Sequence, residues 1–288
     1  MGLLFFGAVC ISFSAIFVKL AGVAPSVSAF YRLGIGGLTL LTLVAATGNL
    51  AAVRRAMAWP ALLCAVFFTG DLLCWHASIN YVGPGLATLV GNFQVFLIAA
   101  VAVVAARRTP RPAFLAGMGL ALFGLYLVVG RGFAAQTPQF RLGIAYGLST
   151  AVFYALFIMT LKKAVTDRGR AGPMAAMSVL SLAGAALLAP IVVLGGDSFA
   201  LPTGRMVWSL LGLGVVGQAV GWLSISVGLS RVRPALAGLI LLLQPTLSYL
   251  WDVLFFGKAT GPVELGGVAL ALGGIYLGSV RSGPDRPS

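Results

Sequence analysis

The 288-residue chain is 60% hydrophobic and only 9% charged, with a formal net charge of +13. A soluble globular domain needs about 25% charged residues to cover its outside, so water is not the solvent for most of this surface. The basic excess does not read as nucleic-acid binding, because no compact basic region with interleaved aromatics is present to form a groove; basic loops beside anionic lipid heads account for it better.

Along the chain, uncharged stretches of roughly 17 to 25 residues, the length that crosses a hydrocarbon core, recur to the C-terminus. They predict ten spans at about 2–19, 26–46, 58–79, 84–106, 113–130, 142–161, 174–194, 206–228, 235–256 and 264–280. The first stretch taken alone also fits a signal peptide, but the runs that follow it favour a retained helix. The least marked break is Asn80 to Gly83, which has no charge and turns on a Gly-Pro step. With the N-terminus inside, Arg54, Arg55, Arg107, Arg108, Arg111, Lys162, Lys163, Arg168, Arg170, Arg231, Arg233, Arg281 and Arg286 all fall on the inner side. Only Lys19, Arg131, Arg141, Arg205 and Lys258 fall outside. This bias predicts cytoplasmic termini and a multi-pass protein of the bacterial inner membrane.

A second pattern is internal repetition. Gly117, Leu120, Ala121, Leu122, Gly124, Tyr126 and Leu127 recur as Gly267, Leu270, Ala271, Leu272, Gly274, Tyr276 and Leu277, an offset of 150. Pro84 and Gln94 recur as Pro234 and Gln244 at the same offset, and Gly70 and Trp75 as Gly217 and Trp222 at an offset of 147. The matches pair span 3 with 8, 4 with 9 and 5 with 10. Each unit then holds five spans, an odd number, so the second must enter the membrane from the opposite side. The expected fold is therefore an all-α polytopic membrane protein of ten transmembrane helices in two inverted five-helix repeats. Its parts are a first repeat over 1–134, a linker over 135–141, a second repeat over 142–280 and a cytoplasmic tail over 281–288.

Local motifs fit the same layout: Phe13-Ser14-Ala15-Ile16-Phe17-Val18-Lys19, Phe30-Tyr31-Arg32, Trp75-His76-Ala77-Ser78-Ile79, Gly85-Leu86-Ala87-Thr88-Leu89 and Gly273-Gly274-Ile275-Tyr276. In this order and spacing the chain resembles the EamA-type branch of the drug/metabolite transporter superfamily over nearly its whole length, and within it the YddG-type amino acid and metabolite exporters. Phe13 stands where the family pattern has Trp, and Val152-Phe153-Tyr154 occupies the related region of the second half. The resemblance implies outward movement of amino acids, aromatic or otherwise apolar, or of related small metabolites, by alternating access and without ATP hydrolysis or a cofactor.

Helical spacing supplies the candidate pathway residues. Asp71, Trp75 and Ser78 share a face of the third span, and Gln218, Trp222 and Ile225 the matching face of the eighth. An acid in mid-membrane should point inward, toward substrate, water or a basic partner; Asp71 as a proton-coupling group and Asp71 as a packing residue both remain open. Arg32 is expected to join Asp252, Asp71 or both in an outer polar network, with snorkelling to the headgroups as the alternative. His76, the single histidine, can serve substrate, proton transfer or helix packing. Thr88 and Asn92 share one face of the fourth span, and Gln244, Ser248 and Trp251 one face of the ninth. These polar groups fit substrate contact and helix packing alike. Pro245 should release a carbonyl in mid-span. Tyr154, with Trp75 and Trp222, offers an aromatic surface. Cys64, Cys74 and His76 form no convincing metal set, and no phosphate-binding loop or catalytic cluster is visible. The expected partners are a small-molecule substrate and membrane lipids, with the oligomeric state open. A lipid- or prenyl-substrate enzyme and a small-solute channel are the competing classes.

Overall fold

A computed structural model describes residues 2–57, 59–105, 109, 112–130, 136–166, 172–201, 203–229 and 240–280. Every regular element among them is helical. Eight helices are long and apolar enough to cross a membrane. They are α1 (Gly2–Ala21), α2 (Pro25–Ala46), α3 (Trp59–Val82), α4 (Pro84–Ala105), α5 (Pro112–Val129), α6 (Pro138–Thr166), α7 (Gly172–Leu194) and α8 (Gly204–Gly228). Two further helices follow, α9 (Leu243–Phe256) and α10 (Pro262–Val280), the latter with a shorter apolar stretch over Pro262–Gly278.

Proline marks the starts: Pro25, Pro84, Pro112, Pro138 and Pro262 each open a helix, where the ring's fixed φ suits the first turn and its missing N–H costs nothing. The α3–α4 break, the least marked in the sequence, is a one-residue turn at Gly83, whose φ of +87° only glycine adopts without strain. Two boundaries differ from expectation. Pro138 starts α6 inside the segment read as a linker, and Leu50–Ala56 forms a short extra helix. That helix buries Ala52 and Ala56 against Val44, Ala61, Ala175 and Val179. The basic residues from Lys162 to Arg170, and Arg107, Arg108, Arg111, Arg231, Arg233, Arg281 and Arg286, bear on orientation and lie outside the residues whose side chains are described. So do the repeat partners Pro234 to Leu239.

The main helix contacts fall into repeat-equivalent sets. The contacts α2–α7, α4–α9 and α5–α10 each join repeat-equivalent helices, while α3–α6 in one sense corresponds to α8–α1 in the other. Equivalent helices run antiparallel. Gly117 lies against Gly274 and Gly278, and Gly124 against Gly267 and Ala271, so α5 ascends as α10 descends. In α2 and α7, Gly34 meets Ala185 and Gly37 meets Leu182, the same reversed order. Small residues let these backbones touch, as membrane interfaces require when burial of apolar surface gives no net drive in lipid. Outward faces carry large apolar side chains such as Phe5, Phe6, Leu38, Leu122 and Phe123.

Among the described residues three helices are interrupted in mid-span, and a further break precedes α9. α1 breaks at Phe13, and α4 loosens at Asn92-Phe93. One repeat later, at Leu242, the chain breaks again immediately before α9. In α8 the segment Leu213–Gly221 is π-helical, as is Tyr126–Gly130 at the end of α5, a distortion frequent at functional sites. Pro245 sits in the first turn of α9 rather than at a mid-helix kink, because the chain has already broken at Leu242.

Candidate functional site

These interruptions surround one cavity of about 50 Å³ at the centre of the bundle. From the first half it is lined by Arg32 (α2), Phe68, Asp71 and Trp75 (α3), and Thr88 and Asn92 (α4). The second half supplies Thr150 and Tyr154 (α6), Trp222 (α8) and Gln244 (α9). Asp71 is at the midpoint of α3, with Phe68 three residues before it and Trp75 four after, so all three project to one side.

Arg32 is 3% exposed. Its Nε donates to Gln218 Oε1 at 3.1 Å, and Gln218 Nε2 donates to Ser181 Oγ at 3.1 Å. The amide of α8 thus fixes the guanidinium, and a serine of α7 fixes the amide. The guanidinium carbon lies 5.3 Å from the centre of the Trp75 ring and 6.0 Å from that of Phe68, within reach of a cation–π interaction. Nη1 is buried without a hydrogen-bond partner among the described residues, as are Trp222 Nε1 and Thr150 Oγ1. The aromatic wall is continuous. Phe68 stacks on Phe157 with centroids 4.3 Å apart, and Trp222 meets Phe68, Phe157 and Tyr154 edge-on at 5.9, 5.7 and 6.3 Å.

Other candidates sit elsewhere. His76 is fully buried behind the cavity wall, its Nδ1 2.7 Å from Ser28 Oγ. Ser28 also donates to the Pro25 carbonyl, which leaves its oxygen to accept from the imidazole. Ser78 Oγ donates to the Gly143 carbonyl at 2.8 Å and ties α3 to α6. Ser248 Oγ donates to the Ser12 carbonyl, and Trp251 Nε1 to Ser12 Oγ, while Trp251 stacks on Phe13 at 4.9 Å. These three contacts bind α9 to the break in α1.

Of the two acids expected as partners of Arg32, Asp71 lines the same cavity and Asp252 belongs to a different cluster. Asp252 is 1% exposed and accepts the Gly85 backbone N–H at 3.1 Å, with Lys19 Nζ at 3.5 Å. It pins the α3–α4 turn to α9 and α1 beside a second cavity of about 250 Å³, which Lys258 and Phe140 also line. Arg32 and Asp252 part because Asp252 is already satisfied there, while Arg32 finds an acceptor in Gln218.

Sequence spacing had missed Phe68, Phe157 and Thr150. Each lies three or four residues from a residue it had picked out, Asp71 or Tyr154, and so on the same helix face.

Comparison with known proteins agrees with this layout. The pattern of the EamA-like transporter family matches residues 1–130 and again 141–280. The chain belongs to that family. A curated relative from Archaeoglobus fulgidus, described as an uncharacterized transporter, is 26% identical over 215 residues, covering 74% of this chain and 73% of that protein. A solved crystal structure superposes with a TM-score of 0.71 at 21% identity, over 97% of this chain and 96% of the other; at that identity the likeness speaks for the fold alone. This EamA-like chain is thus a multi-pass membrane transporter built from two copies of one helical unit.

Proposed function

We propose that this EamA-like protein exports amino acids with apolar or aromatic side chains, or closely related small metabolites. It would do so by alternating access, through ten spans in two inverted repeats of a bacterial inner membrane, with both termini cytoplasmic. The observation that carries the substrate class is that Arg32, Asp71 and an aromatic wall line the same cavity between the halves. In a low-dielectric interior a lone charge is expensive. One cation and one anion together can receive the opposite charges of a zwitterion, and the rings suit its apolar side chain. The alternating mode is supported by the antiparallel pairing of equivalent helices, which gives each conformation a mirror counterpart facing the other side. Outward direction rests on the likeness to exporters. An enzymatic reading is less well supported, since both the family match and the curated relative point to transport. The test is reconstitution in liposomes with a panel of radiolabelled amino acids, with and without a pH gradient. Saturable uptake of apolar and aromatic members is expected, and absence of flux for every amino acid would overturn the substrate class.

A further inference from the structure

Three polar groups in the cavity wall share one anomaly. Arg32 Nη1, Trp222 Nε1 and Thr150 Oγ1 are buried, belong to residues that line the cavity and have no hydrogen-bond partner among the described residues. Their residues are 3%, 7% and 4% exposed. Burying a donor unpaired is costly, more so for a charged one, and native proteins leave few such groups without a reason. All three can donate, and two of them, the guanidinium and the indole N–H, can do nothing else. All three belong to residues lining one cavity, where Gln218 holds Arg32 through Nε and so leaves Nη1 without that partner.

We infer that these groups form a seat for the substrate's carboxylate, with Arg32 as its charged member, Trp222 and Thr150 as neutral donors, and Gln218 as a positioning residue. This rests on the amino acid reading above and goes beyond it by assigning which end of the substrate binds where. The carboxylate faces α2, α6 and α8, which leaves Asp71 on α3 for the ammonium. The seat is drawn from both repeats, Arg32 from the first and Thr150 and Trp222 from the second, so a bound carboxylate bridges the halves and draws them together. Substrates without a carboxylate lose this bridge whatever their side chain.

The test uses the purified full-length protein in detergent. Binding of L-phenylalanine and L-leucine is compared with binding of their amides and their decarboxylated amines, in wild type and in Trp222→Phe and Gln218→Met. Each derivative should bind roughly tenfold or more weakly than its acid, the value of a charge-assisted hydrogen bond. Trp222→Phe removes the N–H together with the five-membered ring, so acids and amines share any loss of ring contact and the acids should weaken about tenfold more than the amines. Gln218→Met should shift the same ratio, and its melting temperature checks that the fold is intact. Derivatives that bind as tightly as acids, or a Trp222→Phe loss shared equally by acids and amines, would overturn the carboxylate seat while leaving amino acid transport standing. If neither acids nor derivatives bind, the amino acid reading falls and this inference falls with it.

Discussion

The antiparallel pairing of α5 with α10 makes a quantitative demand at Gly124. A Cβ placed there would lie 2.4 Å from the backbone nitrogen of Ala271 and 2.5 Å from the carbonyl oxygen of Gly267, where ordinary contact begins at 3.4 Å. Both obstacles are backbone, so no rotamer change relieves them and the helices must part by about 1 Å. Overpacking of this kind costs about 1–3 kcal/mol. The repeat-equivalent Gly274 faces Ala121 nitrogen at 2.4 Å and Gly117 oxygen at 2.5 Å, so Gly274→Ala should cost the same amount. Gly119, on the same helix with nothing within 4 Å, is the control, and Gly119→Ala should leave stability unchanged or raise it. Thermal unfolding in detergent, followed by tryptophan fluorescence, should show G124A and G274A lowered together and G119A not lowered. If G124A unfolds with G119A, or if G124A and G274A differ widely, the symmetric close approach is wrong.

Three further outcomes follow from the contacts. Asp252→Ala leaves the buried Gly85 N–H without its carboxylate, a cost of about 1–3 kcal/mol, and hydrogen exchange of the segment 83–87 should accelerate accordingly; unchanged exchange would mean that Asp252 does not hold the turn. Ser78→Ala removes the bond to the Gly143 carbonyl and should cost about 1 kcal/mol of stability with no change in relative transport rates among substrates, whereas Asp71→Asn should change those rates. In the α9–α10 loop, burial lowers the Lys258 pKa, but its hydrogen bonds to Glu264 and Tyr249 outweigh burial and raise it above the ordinary 10.5. A raised pKa gives stability that is fully present below 10.5 and is lost as pH rises through the folded value. The melting difference between wild type and Lys258→Met should therefore stay constant from pH 6 to about 9 and shrink only in stronger alkali.

Much of this site could be read from the sequence because the repeat acts as a second copy of the evidence within one chain. Asp71, Trp75 and Trp222 were selected by shared spacing and line the same cavity, and Gln218, matched to Asp71 at the offset of 147, grips Arg32. Phe68 and Phe157 were not legible, since one phenylalanine among 18 in a chain so apolar carries no contrast. Hydroxyl residues were ambiguous for a different reason. Ser78, Ser248 and Thr150 look alike in a sequence, but which side each faces depends on the neighbouring helix. Ser78 found a carbonyl on α6, Ser248 found one at the break in α1, and Thr150 was left facing the cavity. The breaks themselves were half visible. Pro245 signalled a disruption near Gln244, but nothing in Leu242, Asn92 or Phe93 as residue types announces where the helices loosen.

The most direct test of the account is trans-acceleration in proteoliposomes. Vesicles preloaded with an unlabelled amino acid from the transported set should take up the labelled one faster than empty vesicles, and Arg32→Gln and Asp71→Asn should each abolish the acceleration at matched protein incorporation. Uptake that ignores the internal amino acid, or that persists unaltered in both variants, would contradict a carrier that moves amino acids through the Arg32–Asp71 cavity.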